Sequence, residues 1–331
     1  MKITIDNGVP FIKGLLEPYA EVQYIHQDDF TRQRICDSDA LIIRTRTRCN
    51  SALLDNTKVK FIATATIGFD HIDTEYCNSH GITTARAAGC NARGVLQWVA
   101  AVLRHIVIGA NRQPQDYTLG VVGVGNVGSL VADYAERWGF RVLKCDPPRQ
   151  QREGGDFLPI EELARQCDII TFHTPLDSTT RHLINQQLID LMPREAIIIN
   201  ASRGGVADTQ AIMRSKHRYM FDVWEDEPNI DTEILANAEI ASQHIAGYSK
   251  QGKANATAMC VAQLADHFNL PIKGWYPSEV RPSMPRDISW EDMCRTIEQY
   301  CSTSELTNTL KNSPADFEIL RNEYIYREEY F

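Results

Sequence analysis

The stretch GVVGVGNVGSLVADYAERWG (residues 120–139) decides the fold of this chain. An apolar strand leads into Gly123, Gly125 and Gly128, which have the spacing G-x-G-x-x-G, and an amphipathic helix follows. The first glycine permits a tight turn, the second lets the backbone approach a pyrophosphate, and the third lets the helix pack closely on the strand. Because strand, glycine loop and helix occur in this order, the pattern predicts a dinucleotide-binding βαβ unit.

The residues that follow the glycines indicate which dinucleotide binds. The N–H groups that open the helix, at Asn126 and Val127, suit a pyrophosphate. The next strand ends in Asp146, and a carboxylate there accepts hydrogen bonds from the adenosine ribose and repels the 2′-phosphate of NADP. We therefore expect NAD as the cofactor, although Arg149 leaves NADP open.

Composition and charge exclude several other classes of protein. The 331 residues suffice for about two domains, and the hydrophobic fraction of 43% is that of an ordinary globular protein. A net charge of −9 argues against a nucleic-acid partner, and no apolar run reaches the roughly 18 residues of a membrane span. The nine cysteines form no C-x-x-C pair, and the chain opens on KITI without a secretory leader. We expect a cytoplasmic protein with reduced thiols, no metal site, no membrane and no nucleic acid.

Short apolar runs alternate with helical segments along most of the chain. The predicted strands are KITID (2–6), ALIIR (40–44), KFIAT (60–64), GITTA (81–85), TLGVVG (118–123), RVLKCD (141–146), DIITFH (168–173), AIIIN (196–200), YMFDV (219–223) and AEIAS (238–242). Their continuous apolar character is typical of parallel strands covered on both faces. The fold class predicted is α/β, with two doubly wound Rossmann-like domains.

The position of the glycine loop suggests the domain boundaries. We expect a substrate-binding domain at 1–92, completed by about 250–272, and an NAD-binding domain at 93–249. Residues 273–331 form a tail that is too apolar for disorder and too short for a core of its own. Such a tail must pack on its own subunit or on a second one.

Polar side chains follow three successive strands of the second domain. Arg203 follows AIIIN, Glu227 follows YMFDV, and His244 follows AEIAS. Since ligands of open α/β sheets bind outside the carboxyl ends of the strands, these side chains should border one crevice. A histidine can remove a hydroxyl proton, a carboxylate can hold its tautomer, and an arginine can bind a substrate carboxylate. The set predicts oxidation of a 2-hydroxy acid.

The chain resembles the D-isomer-specific 2-hydroxyacid dehydrogenases. The motifs that carry the resemblance are GVVGVGNVG, CDPPR (145–149), FHTPL (172–176), NASRGG (200–205), DVWEDEP (222–228) and HIAGYS (244–249). The resemblance implies that Arg203, Glu227 and His244 are the catalytic residues. It further implies cofactor contacts at Asp146, Thr174, Asp222 and Gly247, and substrate contacts at Thr45, Thr66 and Tyr248.

Other segments are similar to one branch of that family, which acts on a phosphorylated 2-hydroxy acid. They are TATIGFDHID (64–73), the tyrosine of HIAGYS and the end of the tail, FEILRNEYIYREEYF (317–331). The resemblance implies that 273–331 is a small α/β dimerisation module and that the enzyme is a homodimer. Gln243 departs from the family, which usually has proline before the catalytic histidine.

Two alternatives remain beside this interpretation. The chain could be another 2-hydroxyacid dehydrogenase, of the phosphoglycerate or glyoxylate type, or a non-enzymatic NAD-sensing protein. The arginines at 44, 46 and 48 also have two interpretations: a solvated strand edge, or a positive cluster that attracts a doubly anionic substrate.

Overall fold

A computed structural model describes residues 1–331 of the chain. The strands are β1 (Lys2–Asp6), β2 (Glu21–Ile25), β3 (Ala40–Ile43), β4 (Phe61–Thr64), β5 (Thr83–Arg86), β6 (Thr118–Val122), β7 (Arg141–Cys145), β8 (Ile169–Phe172), β9 (Ile197–Asn200), β10 (Arg218–Phe221) and β11 (Ile240–Ala241). The helices are α1 (Arg32–Ile35), α2 (Ser51–Leu54), α3 (Thr74–Ser79), α4 (Ala92–Gly109), α5 (Asn126–Trp138), α6 (Pro147–Glu153), α7 (Ile160–Gln166), α8 (Gln186–Ile189), α9 (Thr209–Arg214), α10 (Thr232–Asn237), α11 (Lys250–Phe268), α12 (Trp290–Thr296), α13 (Thr303–Asn312) and α14 (Phe317–Asn322).

The first compact unit comprises residues 1–91 and 249–283. Its sheet is parallel, in the order β2-β1-β3-β4-β5, and every residue of β3 and β4 is buried. The long helix α11 contributes Cys260, Val261 and Leu264 to the core on this sheet. The order of the strands confirms a doubly wound unit.

The sequence did not predict strand β2. Its residues, EVQYI, are mostly half-exposed, and the strand lies at the edge of the sheet beside β1. An edge strand buries less side-chain area than a central one, so its sequence lacks the continuous apolar run that marks β3 and β4.

The second compact unit comprises residues 92–248 and 284–331. Its parallel sheet has the order β11-β10-β9-β8-β6-β7. The chain passes from β6 to β7 on one side and then crosses to the other side of β6, where β8 to β11 follow in sequence. The strands end in register, since the last residues pair across the sheet: Val122 with Phe172, Phe172 with Asn200, Asn200 with Phe221, and Phe221 with Ala241. The loops that follow these five strands therefore leave from one edge of the sheet.

The tail differs from the predicted separate module. Residues 284–331 belong to the second unit, and they form helices α12, α13 and α14 with no strand after β11, where an α/β module was expected. Trp290 packs against Trp138 of α5, with ring centroids 5.7 Å apart, and Phe317 is fully buried in the core beside the sheet. These apolar residues are part of the core of the second unit.

Residues 273–283 belong to the first unit, although the sequence assigned them to the tail. None of the nine cysteines forms a disulfide, and seven of them are buried. No helix combines the length and the apolar character that crossing a membrane requires.

Candidate functional site

Two of the three predicted catalytic residues form a hydrogen-bonded pair. His244 Nδ1 lies 2.7 Å from Glu227 Oε2, and the other carboxylate oxygen accepts from the Trp224 N–H at 2.8 Å. Burial raises the pKa of Glu227, but the adjacent imidazole and the backbone N–H lower it by more, so the net pKa is below its ordinary value. The carboxylate stays charged at neutral pH and directs the Nδ1 proton of His244 toward itself, which leaves the lone pair on Nε2.

The loop of Arg203 is held against the same region of backbone. Asn200 ends β9, donates to the Arg203 carbonyl at 3.0 Å and accepts from the Ser202 N–H at 3.1 Å. The next residue, Gly204, lies so close to the Trp224 carbonyl that a Cβ would stand 1.8 Å from its oxygen. The Arg203 loop therefore contacts the loop that carries Glu227, and glycine is required at the contact.

Other histidines of the chain have different surroundings. Burial lowers the pKa of His71 to about 4 and that of His173 to about 3, so both remain neutral at working pH. His105 pairs with Glu239, which precedes β11 and so lies at the opposite edge of the sheet. His182 pairs at 2.6 Å with Glu225, whose carboxylate also accepts from the N–H of Thr209 and so fixes the start of α9.

The turn that carries His244 is fixed from one side by Asp222. This buried carboxylate accepts from the Ile245 N–H at 2.8 Å, from the Ala246 N–H at 2.9 Å and from the Ser242 hydroxyl at 2.6 Å. His244 itself has a left-handed backbone, with φ of 59°. Asp222, predicted as a cofactor contact, is thus engaged with the backbone of the turn.

An arginine of the tail fixes the same turn from the other side. Arg327 is buried and donates to the carbonyls of Ile245, at 3.1 Å, and of Ala246. It also donates to the carbonyl of Gly94 at 2.7 Å. The peptide group between Ile245 and Ala246 is therefore held at both ends, because its N–H donates to Asp222 and its carbonyl accepts from Arg327, which orients its dipole.

The glycine loop has the shape that a dinucleotide requires. Gly123 has a φ of 83°, and a Cβ on it would lie 2.8 Å from the carbonyl carbon of His173. A Cβ on Gly128 would lie 2.0 Å from the Gly123 oxygen, whereas one on Gly125 would meet nothing within 4 Å. The loop is closed toward the protein and open at Gly125, where α5 begins with free N–H groups.

The remaining cofactor candidates border this loop. Asp146 accepts from the Val124 N–H at 2.8 Å and from the Arg149 N–H at 2.9 Å, and each oxygen retains a lone pair for a ribose hydroxyl. Arg149 donates to the Val124 carbonyl at 2.8 Å and to Glu153 at 2.7 Å. The hydroxyl of Thr174 is buried without a hydrogen-bond partner. A buried orphan hydroxyl beside an open glycine loop fits a bound dinucleotide.

The substrate candidates of the first unit lie at the carboxyl ends of β3 and β4. Thr45 is exposed, while the Thr66 hydroxyl donates to the Gly68 carbonyl at 3.0 Å. Arg44 donates to both oxygens of the buried carboxylate of Asp6, at 2.9 and 3.1 Å. The charge of Arg44 is thus balanced inside the unit. This pairing favours neither a solvated strand edge nor a positive cluster that attracts the substrate.

Several residues of the site were missed from the sequence. Asn200 was quoted in NASRGG but given no role, and its position at a strand end was the available signal. Trp98, which donates to the Ser242 hydroxyl at 3.0 Å, and Arg327 lie far from the loop in sequence, so their contacts depend on tertiary packing.

Comparisons with known proteins show the family of the chain. Residues 98–246 match the family model of the NAD binding domain of D-isomer specific 2-hydroxyacid dehydrogenases. The D-lactate dehydrogenase of Aquifex aeolicus, solved with NAD and lactic acid, is 25% identical with a TM-score of 0.69 and covers 86% of this chain and 100% of its own. The NAD+-bound 3-phosphoglycerate dehydrogenase of Entamoeba histolytica is 26% identical with a TM-score of 0.69, over 85% and 99% of the two chains. The chain belongs to the D-isomer-specific 2-hydroxyacid dehydrogenase family.

Its curated relatives indicate the branch of that family to which the chain belongs. A protein of Bacteroides thetaiotaomicron named erythronate-4-phosphate dehydrogenase is 44% identical, over 99% of this chain and 97% of the relative. The protein of that name from Pectobacterium carotovorum is 34% identical, over 100% and 92% of the two chains. The resemblance drawn from the motifs is confirmed, and the chain is an NAD-dependent dehydrogenase of this branch.

Proposed function

We propose that the protein oxidises 4-phospho-D-erythronate at C2 with NAD, giving (R)-3-hydroxy-2-oxo-4-phosphooxybutanoate, a step in the synthesis of pyridoxal 5′-phosphate. The observation that carries the proposal is the His244–Glu227 hydrogen bond at 2.7 Å, on the sheet edge where the Arg203 loop and the glycine loop also emerge. The names of the curated relatives support the choice of substrate.

Each residue of the site has its own role in the reaction. His244 Nε2 takes the proton of the C2 hydroxyl, and the charged carboxylate of Glu227 stabilises the imidazolium that forms. NAD held by the second unit would supply the acceptor for the hydride of C2. Arg203 binds the substrate carboxylate and the oxygen of C2, where its planar guanidinium can form two parallel hydrogen bonds.

The second unit supplies the residues that would hold the cofactor. Gly125, Asn126 and Val127 offer N–H groups to the pyrophosphate, and Asp146 accepts from the ribose hydroxyls. Thr174, with its unpaired hydroxyl, and Gly247, beside the His244 turn, complete the set. Tyr248, Thr45 and Thr66 remain proposed substrate contacts.

We further propose that the enzyme is a cytoplasmic homodimer. Exposed apolar side chains of the tail support the homodimer. Met284, Ile319 and Ile325 are 80%, 54% and 88% exposed, while Trp290, Met293 and Phe317 are buried in the second unit. Nine cysteines without a disulfide support a reducing compartment, which favours the cytoplasm.

The proposed substrate is tested by NADH formation with a panel of 2-hydroxy acids: 4-phospho-D-erythronate, 3-phospho-D-glycerate, glycolate and D-lactate. We expect the highest kcat/KM with 4-phospho-D-erythronate. For His244→Ala we expect kcat to fall about 100-fold or more while NAD binding is retained. A higher kcat/KM with 3-phospho-D-glycerate or glycolate would assign the chain to another activity of the family. Binding of NAD without turnover of any substrate would favour the NAD-sensing alternative.

A further inference from the structure

An arginine from the tail lies beside Tyr248, one of the proposed substrate contacts. Arg321, on α14, stands over the ring of Tyr248, with its guanidinium carbon 5.9 Å from the ring centroid. Its side chain is 21% exposed, and its Nε is buried without a hydrogen-bond partner. A buried guanidinium N–H that donates to nothing has unused capacity to bind a ligand.

The surroundings of Arg321 do not neutralise it. Its ion pair with Glu318, on the same helix, is long at 3.9 Å. Burial lowers the pKa of Arg321, but Tyr248, which hydrogen-bonds to it, and the charge of Glu227 raise the pKa by more. The guanidinium thus stays charged and lies in the field of the carboxylate that pairs with His244.

The helix of Arg321 is joined to the His244 turn through Gln243. The Gln243 side chain donates to the carbonyl of Leu320 at 3.5 Å, one residue before Arg321. Proline, the usual residue of the family at this position, could not donate such a bond. Gln243 therefore links the turn of the catalytic histidine to the segment that carries the arginine.

We propose that Arg321 is a substrate-binding residue that recognises the phosphate group of the substrate. This inference rests on the proposed function. Arg203 binds the carboxylate at the reacting end of the substrate in the proposed function, and Arg44 already forms an ion pair with the buried Asp6. A phosphate dianion needs charge-assisted donors, and Arg321 offers an unengaged N–H beside Tyr248.

The test compares Arg321→Gln and Arg321→Lys with two substrates that differ only in the phosphate, 4-phospho-D-erythronate and D-erythronate. We expect Arg321→Gln to lower kcat/KM for the phosphorylated substrate about 30-fold, mainly through KM, and to lower that for D-erythronate far less. Arg321→Lys should restore part of the loss because it keeps the charge. The matched control is Arg295→Gln, which removes an arginine of the tail whose side chain is 75% exposed; it should change neither value.

Equal losses with both substrates, or no loss, would overturn the assignment and leave Arg321 with a structural role. Failure of the proposed function would be seen as a different preferred substrate of the wild type. If the wild type oxidises 3-phospho-D-glycerate instead, the same comparison is made with that substrate and D-glycerate. Calorimetric binding of inorganic phosphate to the NAD-bound protein gives a second measurement, since Arg321→Gln should weaken it about 10-fold whatever the preferred substrate, and unchanged binding would contradict the proposal.

Discussion

Glu227 matters because it is charged and touches His244. Its pKa is lowered, so the stabilisation from the charged carboxylate is present above the ordinary pKa of 4.5 and is lost as the pH falls through the lowered value. For Glu227→Gln we expect a loss in kcat of about 10-fold or more, and an acidic limb of kcat/KM that moves to lower pH, since the imidazolium loses its partner. The measurement is the pH profile of NADH formation.

The chain offers a matched control on the same loop. Glu225→Gln removes the other carboxylate of DVWEDEP that pairs with a histidine, at 2.6 Å from His182. Its profile should overlay that of the wild type. If both variants moved the acidic limb equally, the effect would belong to the charge of the loop and not to the His244 pair.

Asp146 combines two roles at one carboxylate. It caps α6 through the Arg149 N–H and fixes the glycine loop through the Val124 N–H. Asp146→Asn keeps an oxygen acceptor but removes the charge that repels a 2′-phosphate. We expect the ratio of kcat/KM for NAD over NADP to fall by about 10-fold or more. An unchanged ratio in steady-state assays with both cofactors would remove Asp146 from cofactor selection.

At the level of elements, the sequence predicted the central strands and the long helices well. β3, β4, β8 and β9 are buried at every residue, so their composition carries the signal directly. The sequence did not predict β2, because its half-exposed residues lack a continuous apolar run. The His244–Glu227 pair was predictable because both residues follow adjacent strands, whereas the contact of Arg327 with that turn depends on where the tail packs.

The contact of Arg327 with the His244 turn gives a prediction at this level. Arg327→Met keeps most of the side-chain volume but leaves the carbonyls of Ile245, Ala246 and Gly94 without their donor. We expect the free energy of unfolding to fall by about 3 kcal/mol and kcat to fall with it. Denaturant unfolding measures the first effect. Arg295→Met, on the exposed face of the tail, should leave both values unchanged, and a stable Arg327→Met enzyme with wild-type kcat would contradict the role.

For the whole molecule, the tail has two kinds of apolar residue. Trp290, Met293 and Phe317 are buried in the second unit, so a chain that ended near residue 275 would lose part of its core. The sequence could not separate these residues from the exposed ones, because burial of an apolar side chain depends on where the tail packs. Truncation is therefore a poor test of assembly, and point substitutions at the exposed residues are needed.

The proposed dimer is tested at Ile319 and Ile325, which are 54% and 88% exposed. Two exposed apolar side chains, one on α14 and one just after it, suit an interface between copies, and a two-fold dimer is the commonest closed assembly. We expect light scattering to give twice the mass of the chain for the wild type. Ile319→Glu/Ile325→Glu should give the mass of one chain with an unchanged circular dichroism spectrum. Ile108→Glu, at a side chain of α4 that is 52% exposed, is the control and should remain dimeric. A monomeric wild type would exclude the dimer, and a double variant that stays dimeric would place the interface elsewhere.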